Sequence, residues 1–193
     1  LHVSWARICV LESVLSFNDG VETWINAEDS DITGYEFNFQ QDFEFLPAPF
    51  DGMFIALNLT WTDGDSTFKF EDNQSFTTPF RKLSDKQENF SIGYDKGKFD
   101  IRLAMNSRGE YLDWLADEES DIDKVSLQNS RFVAPHEQWD LKASYEINDN
   151  FRLKFEITNI EDRPEYYYWG YNDRLSQYDE YGTSYAIGFT YNN

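Results

Sequence analysis

The chain has 193 residues, a formal net charge of −20 and an aromatic content of 18%. The negative charge argues against nucleic acid as a partner, because phosphate groups would be repelled, and the aromatic content argues against intrinsic disorder. No run of about twenty apolar residues is present, so the sequence predicts no transmembrane helix. The single cysteine, Cys9, allows no internal disulfide.

Alternation of apolar and polar side chains predicts about eight strands, each with one apolar face and one polar face. The pattern is clearest where the apolar residues between Phe151 and Ile157 alternate with Arg152, Lys154 and Glu156. The first predicted strand has the composition of a strand but alternates poorly. In chain order, the predicted strands are residues 3–15, 32–45, 53–62, 89–94, 99–106, 139–147, 151–157 and 184–191.

The predicted connections alternate between short and long. Residues 46–52, 95–97 and 148–150 form short turns, whereas residues 63–86, 107–137 and 161–181 form long polar loops. Short turns at one end of a sheet and long loops at the other are typical of an outer-membrane β-barrel. Aromatic residues also lie near the ends of the apolar faces, where the interfacial girdles of such a barrel belong. They are Tyr35, Phe45, Trp61, Tyr94, Phe99, Trp139, Tyr145, Phe151, Tyr185 and Tyr191.

We therefore predict an all-β fold, in which antiparallel, meandering strands form a transmembrane β-barrel. About eight strands either close a narrow barrel by themselves, as in a self-contained structural protein or adhesin of the outer membrane, or supply one arc of a wider barrel. A soluble carbohydrate-binding β-sandwich also fits the alternation, because its apolar faces would lie in a core.

Three stretches resemble segments of TonB-dependent outer-membrane receptors. Residues 33–39 (TGYEFNF) resemble a barrel strand with the pattern T-x-G-x-E. Residues 159–166 (NIEDRPEY) resemble the N-L-x-D-x-x-Y segment after the penultimate strand, and residues 181–191 (YGTSYAIGFTY) resemble the terminal strand with the pattern G-R-x-Y-x-x-G-x-x-Y. The resemblance covers the chain from about residue 30 to the end.

The resemblance implies that residues 1–193 are the C-terminal portion of a barrel of roughly 22 strands, with the plug domain and the earlier strands outside this sequence. It also implies a non-enzymatic receptor in the bacterial outer membrane, which imports a scarce, large solute such as a siderophore, cobalamin or an oligosaccharide. The implied partners are outer-membrane lipid and lipopolysaccharide, the TonB complex acting through the plug, the barrel-assembly machinery and the small-molecule solute. The implied membrane-facing assembly strand carries Tyr185, Ile187, Phe189 and Tyr191, although the two asparagines that follow depart from the usual aromatic end.

Aromatic residues in the long loops are the candidate ligand-binding residues. Their flat faces stack on the apolar faces of sugars and on siderophore rings, although an interfacial girdle combined with loop packing would also explain them. The acidic loops favour a neutral oligosaccharide or a cationic ligand over an anionic ferric siderophore. The candidate residues are Tyr111, Trp114, Tyr166, Tyr167, Tyr168, Trp169 and Tyr171.

The sequence predicts neither catalysis nor a bound cofactor. Its two histidines, His2 and His136, are not paired with a serine or with carboxylates on an alternating strand. The acidic residues 117–123 do not form a calcium loop, because Lys124 stands at the position of the turn glycine and Ser130 at that of the bidentate glutamate. A loose divalent site, or ion bridging to lipopolysaccharide, stays open for this stretch.

Overall fold

The computed structural model describes residues 2–9, 13–18, 21–27, 29–69, 75–116 and 127–192. These residues form fifteen strands and two short 3-10 turns (Phe50–Gly52 and Leu127–Asn129), and they include no helix long and apolar enough to cross a membrane. The strands are β1 (His2–Cys9), β2 (Ser13–Asn18), β3 (Val21–Asn26), β4 (Asp29–Asp42), β5 (Met53–Lys69), β6 (Ser75–Pro79), β7 (Lys86–Lys96), β8 (Phe99–Arg108), β9 (Tyr111–Trp114), β10 (Arg131–Val133), β11 (His136–Asn148), β12 (Phe151–Thr158), β13 (Glu165–Trp169), β14 (Leu175–Asp179) and β15 (Ser184–Tyr191).

The largest sheet, which we call the wall, runs in the antiparallel order β1-β4-β5-β7-β8-β11-β12-β15, with β6 paired to the far half of β5. Across this sheet, apolar side chains lie beside apolar ones and polar side chains beside polar ones on neighbouring strands. Residues Ile55, Ile92, Leu103, Leu141 and Ile157, for example, form one apolar row across five strands. The alternation sets this register, because a slip of one residue would move every side chain of a strand to the opposite face.

The apolar face of the wall is uncovered. On β15, Ile187 is 78% exposed and Phe189 is 71% exposed, and the neighbouring predicted membrane-facing residues Tyr185 and Tyr191 lie on the same face. A soluble sandwich would bury such a face against a second sheet, so the sandwich alternative is wrong. Hydrocarbon is the solvent that suits a continuous apolar surface of this kind.

The wall is an open arc, as predicted. Its two edge strands, β1 and β15, are not paired with each other within the described residues. Two of its connections are tight, because β7 and β8 are joined by Gly97 and Lys98, and β11 and β12 by Asp149 and Asn150. Gly97 has a φ of +63°, a conformation that favours glycine.

The prediction that the three long connections are loops was wrong. In the first, β5 continues to Lys69 and pairs with β6; the second contains β9 and β10, and the third contains β13 and β14. β6 (Ser-Phe-Thr-Thr-Pro) is rich in hydroxyl residues that fit a strand without giving it an apolar face. The predicted strand at residues 3–15 also divides, since β1 pairs with β4 whereas β2 forms a separate hairpin with β3.

Four of these short strands form a second sheet in the order β14-β13-β10-β9, which we call the outer sheet. It contains the two best-buried hydrophobic side chains of the described residues, because Val133 is fully buried and Leu112 is 1% exposed. The ring of Phe132 stacks on that of Tyr168 with their centres 5.6 Å apart. Leu112 also packs with Phe68 from β5, so the β5–β6 extension and the outer sheet share one core. The described parts of the long connections therefore contain strands that hold their aromatic residues in defined places.

Candidate ligand-binding site

Arg108, the last residue of β8, joins the wall to the outer sheet. Its guanidinium donates to the carbonyl oxygen of Ala134 at 3.2 Å and lies 3.5 Å from Oε1 of Glu165. Its Cζ also lies 5.0 Å from the centre of the Tyr111 ring. A guanidinium can make all three contacts because it donates in its plane and stacks through its face. Arg108 thus fixes β9, β10 and β13 against the end of β8.

Asn159 holds the connection that leads from the wall into β13. It is 5% exposed, and its φ of +56° is one that asparagine tolerates better than most residues. Its Oδ1 accepts from the Arg163 N–H at 2.9 Å, and its Nδ2 donates to the carbonyl oxygens of Arg163 at 3.1 Å and Gly182 at 3.4 Å. Its backbone N–H donates to Asp140 at 2.9 Å, and its carbonyl accepts from Thr183 at 2.8 Å. One asparagine therefore ties together β11, the segment before β13 and the segment before β15.

A second polar network lies between β9, β10 and β13. Arg131 forms an ion pair with Asp113, to which its Nε donates at 2.7 Å, and its Cζ lies 5.4 Å from the centre of the Tyr167 ring. The Tyr167 hydroxyl donates to Glu165 at 3.0 Å. Burial, together with this carboxylate, raises the pKa of Tyr167 to about 12. The network fixes the orientation of the Tyr167 ring and hydroxyl between Arg131 and Glu165.

All seven predicted ligand-binding residues belong to the outer sheet or follow it directly. Tyr111 and Trp114 lie in β9, Tyr166, Tyr167, Tyr168 and Trp169 lie in β13, and Tyr171 lies just after it. The structure brings Trp114 and Trp169 together edge to face, with ring centres 5.8 Å apart, and Trp114 is 46% exposed. Tyr171 is also exposed. Tyr168 differs, because it is buried and its hydroxyl donates to Glu110; burial and this contact raise its pKa. Its ring therefore supports the outer sheet from within.

A cavity of about 550 Å³, the mouth cavity, opens where the polar face of the wall meets the outer sheet. Tyr111 is the predicted site residue that lines it. The other lining residues were missed because they are ordinary polar residues at the ends of strands, and only the register places them together. The cavity is lined by Lys82, Ser84, Gln87, Asn89, Asn106, Ser107, Arg108, Tyr111, Asp113, His136 and Gln138.

A second cavity of about 510 Å³, the inner cavity, adjoins the mouth cavity on the polar face of the wall, and Asn89 and Asn106 line both. Five amide side chains on five neighbouring strands share one register row that crosses the two cavities. We call this row, formed by Asn38, Asn58, Asn89, Asn106 and Gln138, the amide row. Within it, the Nδ2 of Asn58 donates to Asn38 at 2.5 Å, and that of Asn89 donates to Asn58 at 3.4 Å.

Arg102, the charged residue that lines the inner cavity, also packs against an aromatic ring on the polar face. Its Cζ lies 4.9 Å from the centre of the Phe54 ring. The Phe54 ring crosses Gly93 so closely that a Cβ at this glycine would overlap the ring and the carbonyl oxygen of Ile101. The absence of a side chain at position 93 is therefore what lets Phe54 lie flat against the wall.

His136 and the acidic side chains were the remaining candidates from the sequence for catalysis or metal binding. His136 lines the mouth cavity, and its Nδ1 lies 3.3 Å from the carbonyl oxygen of Pro164. In the described part of the chain, no group of three or more His, Cys, Asp or Glu side chains could hold a metal ion. The acidic residues 117–123 lie outside the described residues.

An open antiparallel sheet with one uncovered apolar face, one polar face and an ordered sheet at one end defines part of the wall of a transmembrane β-barrel. The sequence matches the family model described as TonB dependent receptor-like, beta-barrel, over residues 10–160. This match covers most of the chain, and the chain belongs to that family. No curated protein matches the sequence.

Solved structures of siderophore receptors share the fold. The siderophore receptor PiuA from Acinetobacter baumannii is 14% identical with a TM-score of 0.59, and the match covers 98% of this chain and 26% of that chain. A mutant of the ferric enterobactin receptor PfeA from Pseudomonas aeruginosa, in complex with enterobactin, is 15% identical with a TM-score of 0.61, and the match covers 98% and 28%. The chain thus spans about a quarter of the length of these receptors.

Proposed function

We propose that this chain is the C-terminal portion of the β-barrel of an outer-membrane receptor that takes up a scarce, large solute. The full-length protein would receive its energy from TonB through a plug domain that lies outside this sequence. The observation that carries this proposal is the uncovered apolar face of the wall, seen together with membership of the TonB-dependent receptor-like barrel family.

The two faces and two ends of the wall suggest its orientation. The apolar face would contact lipid, with Ile187 and Phe189 open to the bilayer, and the polar face would line the wet interior. The tight turns at Gly97 and at Asp149 would face the periplasm. The outer sheet would then face the exterior, next to lipopolysaccharide, and the barrel-assembly machinery would recognise β15.

The mouth cavity and the exposed aromatic residues of the outer sheet are the proposed place of first contact with the solute. Trp114 and Tyr171 present large exposed faces, and Tyr111 lies where the outer sheet opens onto the polar face. Such faces contribute to binding without adding charge. Binding and transport, rather than a reaction, is the activity that this arrangement supports.

The proposal is tested in the native bacterium with the full-length gene. Outer-membrane fractions should contain the protein in a form that unfolds only on heating in detergent, as closed β-barrels do. Deletion of the gene should abolish growth on at least one scarce iron or carbon source, and inactivation of TonB should reproduce the same defect. Recovery of the full-length protein in the aqueous fraction would contradict the proposal, as would normal growth on that source after inactivation of TonB.

A further inference from the structure

The amide row has a direction relative to the two ends of the wall. Asn38 lies four residues before the end of β4 at Asp42, whereas Gln138 lies ten residues before the end of β11 at Asn148. At about 3.3 Å per residue, the row therefore rises from about 13 Å to about 33 Å above the tight-turn end, measured along the strands. It also crosses five strands, a width of about 19 Å. The row is an inclined path from the mouth cavity towards the opposite end of the wall.

Within the described part of the chain, much of the hydrogen-bonding capacity of the row is unused, although Asn38 and Asn58 each donate one N–H to Oε1 of Glu36, at 2.9 Å and 3.0 Å. Each amide side chain offers two N–H donors and one oxygen with two lone pairs. Asn89 and Asn106 are exposed, and the side chain of Asn106 makes no hydrogen bond within the described part of the chain. Gln138 uses one donor, to Asp140 at 2.9 Å. Groups that both donate and accept, at a regular spacing and without charge, match hydroxyl groups better than they match carboxylates or phosphates.

The cations beside the row are few and lie apart from one another. Arg102 is the one charged residue that lines the inner cavity, among the described residues. In the mouth cavity, Arg108 faces Glu165 and Asp113 is held by Arg131, whereas Lys82 forms no ion pair within the described part of the chain. An anionic chelate is held best by several cations that converge on it, but the two cations without a carboxylate partner line different cavities. The groups of the row itself are uncharged amides, with one aromatic ring at its upper end.

We propose that the amide row and Tyr111 form a binding path for a neutral, polyhydroxylated solute of the oligosaccharide class. This inference rests on the proposed function and specifies its substrate class. The sugar hydroxyl groups would exchange hydrogen bonds from one amide to the next, and the Tyr111 ring would take the apolar face of a sugar ring at the entrance. The regular spacing of the amides lets a chain of sugar units move along the wall without leaving a charged partner behind.

The test uses the full-length receptor in detergent, with an array of neutral oligosaccharides (glucans, xylans, mannans and galactans) and with ferric enterobactin as the anionic probe. At least one neutral oligosaccharide should bind. Asn89→Leu and Asn106→Leu should each weaken its binding about tenfold, since each removes one or two hydrogen bonds. Thr60→Val is the matched control: Thr60 lies in the neighbouring register row and lines neither cavity, so this change should leave the affinity unaltered.

Each outcome is decisive for this inference. Binding of ferric enterobactin alone, with affinity unchanged in both asparagine variants, would overturn the oligosaccharide path while leaving a solute receptor in place. Variants that unfold more easily but bind as well as the wild type would show that the row is a packing surface and would also overturn it. Absence of binding to every neutral oligosaccharide would refute it, and TonB-dependent growth would then decide separately whether the receptor function stands.

Discussion

Replacement of Asn159 should loosen the outer sheet without opening the wall. Asn159→Gly removes two well-formed side-chain hydrogen bonds to Arg163 and a longer one to Gly182, while it keeps the positive φ accessible. At about 1 kcal/mol for each bond, the loss is about 2–3 kcal/mol. Asn159→Ala should lose about 1 kcal/mol more, because a Cβ disfavours the left-handed conformation. The backbone bond to Asp140 remains available in both variants, so the effect should stay local.

Hydrogen exchange of the full-length receptor, followed by mass spectrometry of peptides, measures this effect. A local loss of about 2–3 kcal/mol corresponds to roughly 30- to 150-fold faster exchange in β13, provided that exchange follows local opening. Asn172→Ala is the control, since Asn172 is exposed and its own contact to Tyr166 is through its carbonyl oxygen. Unchanged exchange in β13 for Asn159→Ala, or equal acceleration in β8 and β11, would refute the role of Asn159 as a local clamp.

Three further predictions follow from the same contacts. Gly93→Ala should lower barrel stability by about 1–3 kcal/mol through overpacking. Gly188→Ala is its control and should be neutral, because a Cβ at position 188 meets nothing within 4 Å. For both variants, the measurement is the temperature at which the folded band disappears on detergent gels. Asp113→Ala should accelerate hydrogen exchange in β9 and β10, because it leaves Arg131 without its carboxylate partner at a cost of about 1–3 kcal/mol. Additive effects of Asp113→Ala and Arg131→Met in a double-mutant cycle would contradict the coupling between the two residues. The pKa of Tyr167, raised to about 12 from about 10 when unfolded, predicts that the stability of the outer sheet is constant below pH 10 and falls between pH 10 and pH 12. In the ultraviolet titration, Tyr167→Phe should remove one phenol that ionises near pH 12, and it should reduce the loss of stability between pH 10 and pH 12. If the variant instead lacked a phenol that ionises near pH 10, the burial of the Tyr167 hydroxyl would be contradicted.

The wall could be predicted from the sequence because each of its strands has one face in an apolar medium and one in a polar medium. That difference leaves a period of two in residues such as those from Phe151 to Thr158, and the register follows from it. The outer sheet could not be predicted in this way. β13 (Glu-Tyr-Tyr-Tyr-Trp) has large aromatic residues on both faces, because Tyr168 fills a core while Tyr167 packs under an arginine on the other side. Aromatic residues suit both the core on one side and the contact with the arginine on the other, so β13 shows no alternation of apolar and polar residues.

The candidate site was predicted in part for a related reason. The aromatic residues are conspicuous in the sequence, and the structure places them on one sheet, but their composition does not show that Tyr168 points into a core. The amide row is inconspicuous in the sequence, because each asparagine sits alone on its own strand. Only the pairing of five strands brings Asn38 and Gln138 into one line. The aromatic composition could therefore indicate the residues of the outer sheet, whereas the amide row depends on how the strands pair.

The orientation of the wall is tested most directly by nitroxide labels on adjacent residues of β15 in the full-length receptor, reconstituted in a lipid bilayer after replacement of Cys9. Labels at Ile187→Cys and Ala186→Cys report opposite faces of the same strand. We expect the label at position 187 to collide with oxygen dissolved in the acyl chains and to be shielded from a water-soluble nickel chelate, and the label at position 186 to behave in the opposite way. Equal access of the nickel chelate to both labels, or the reverse pattern, would contradict a wall whose apolar face meets lipid.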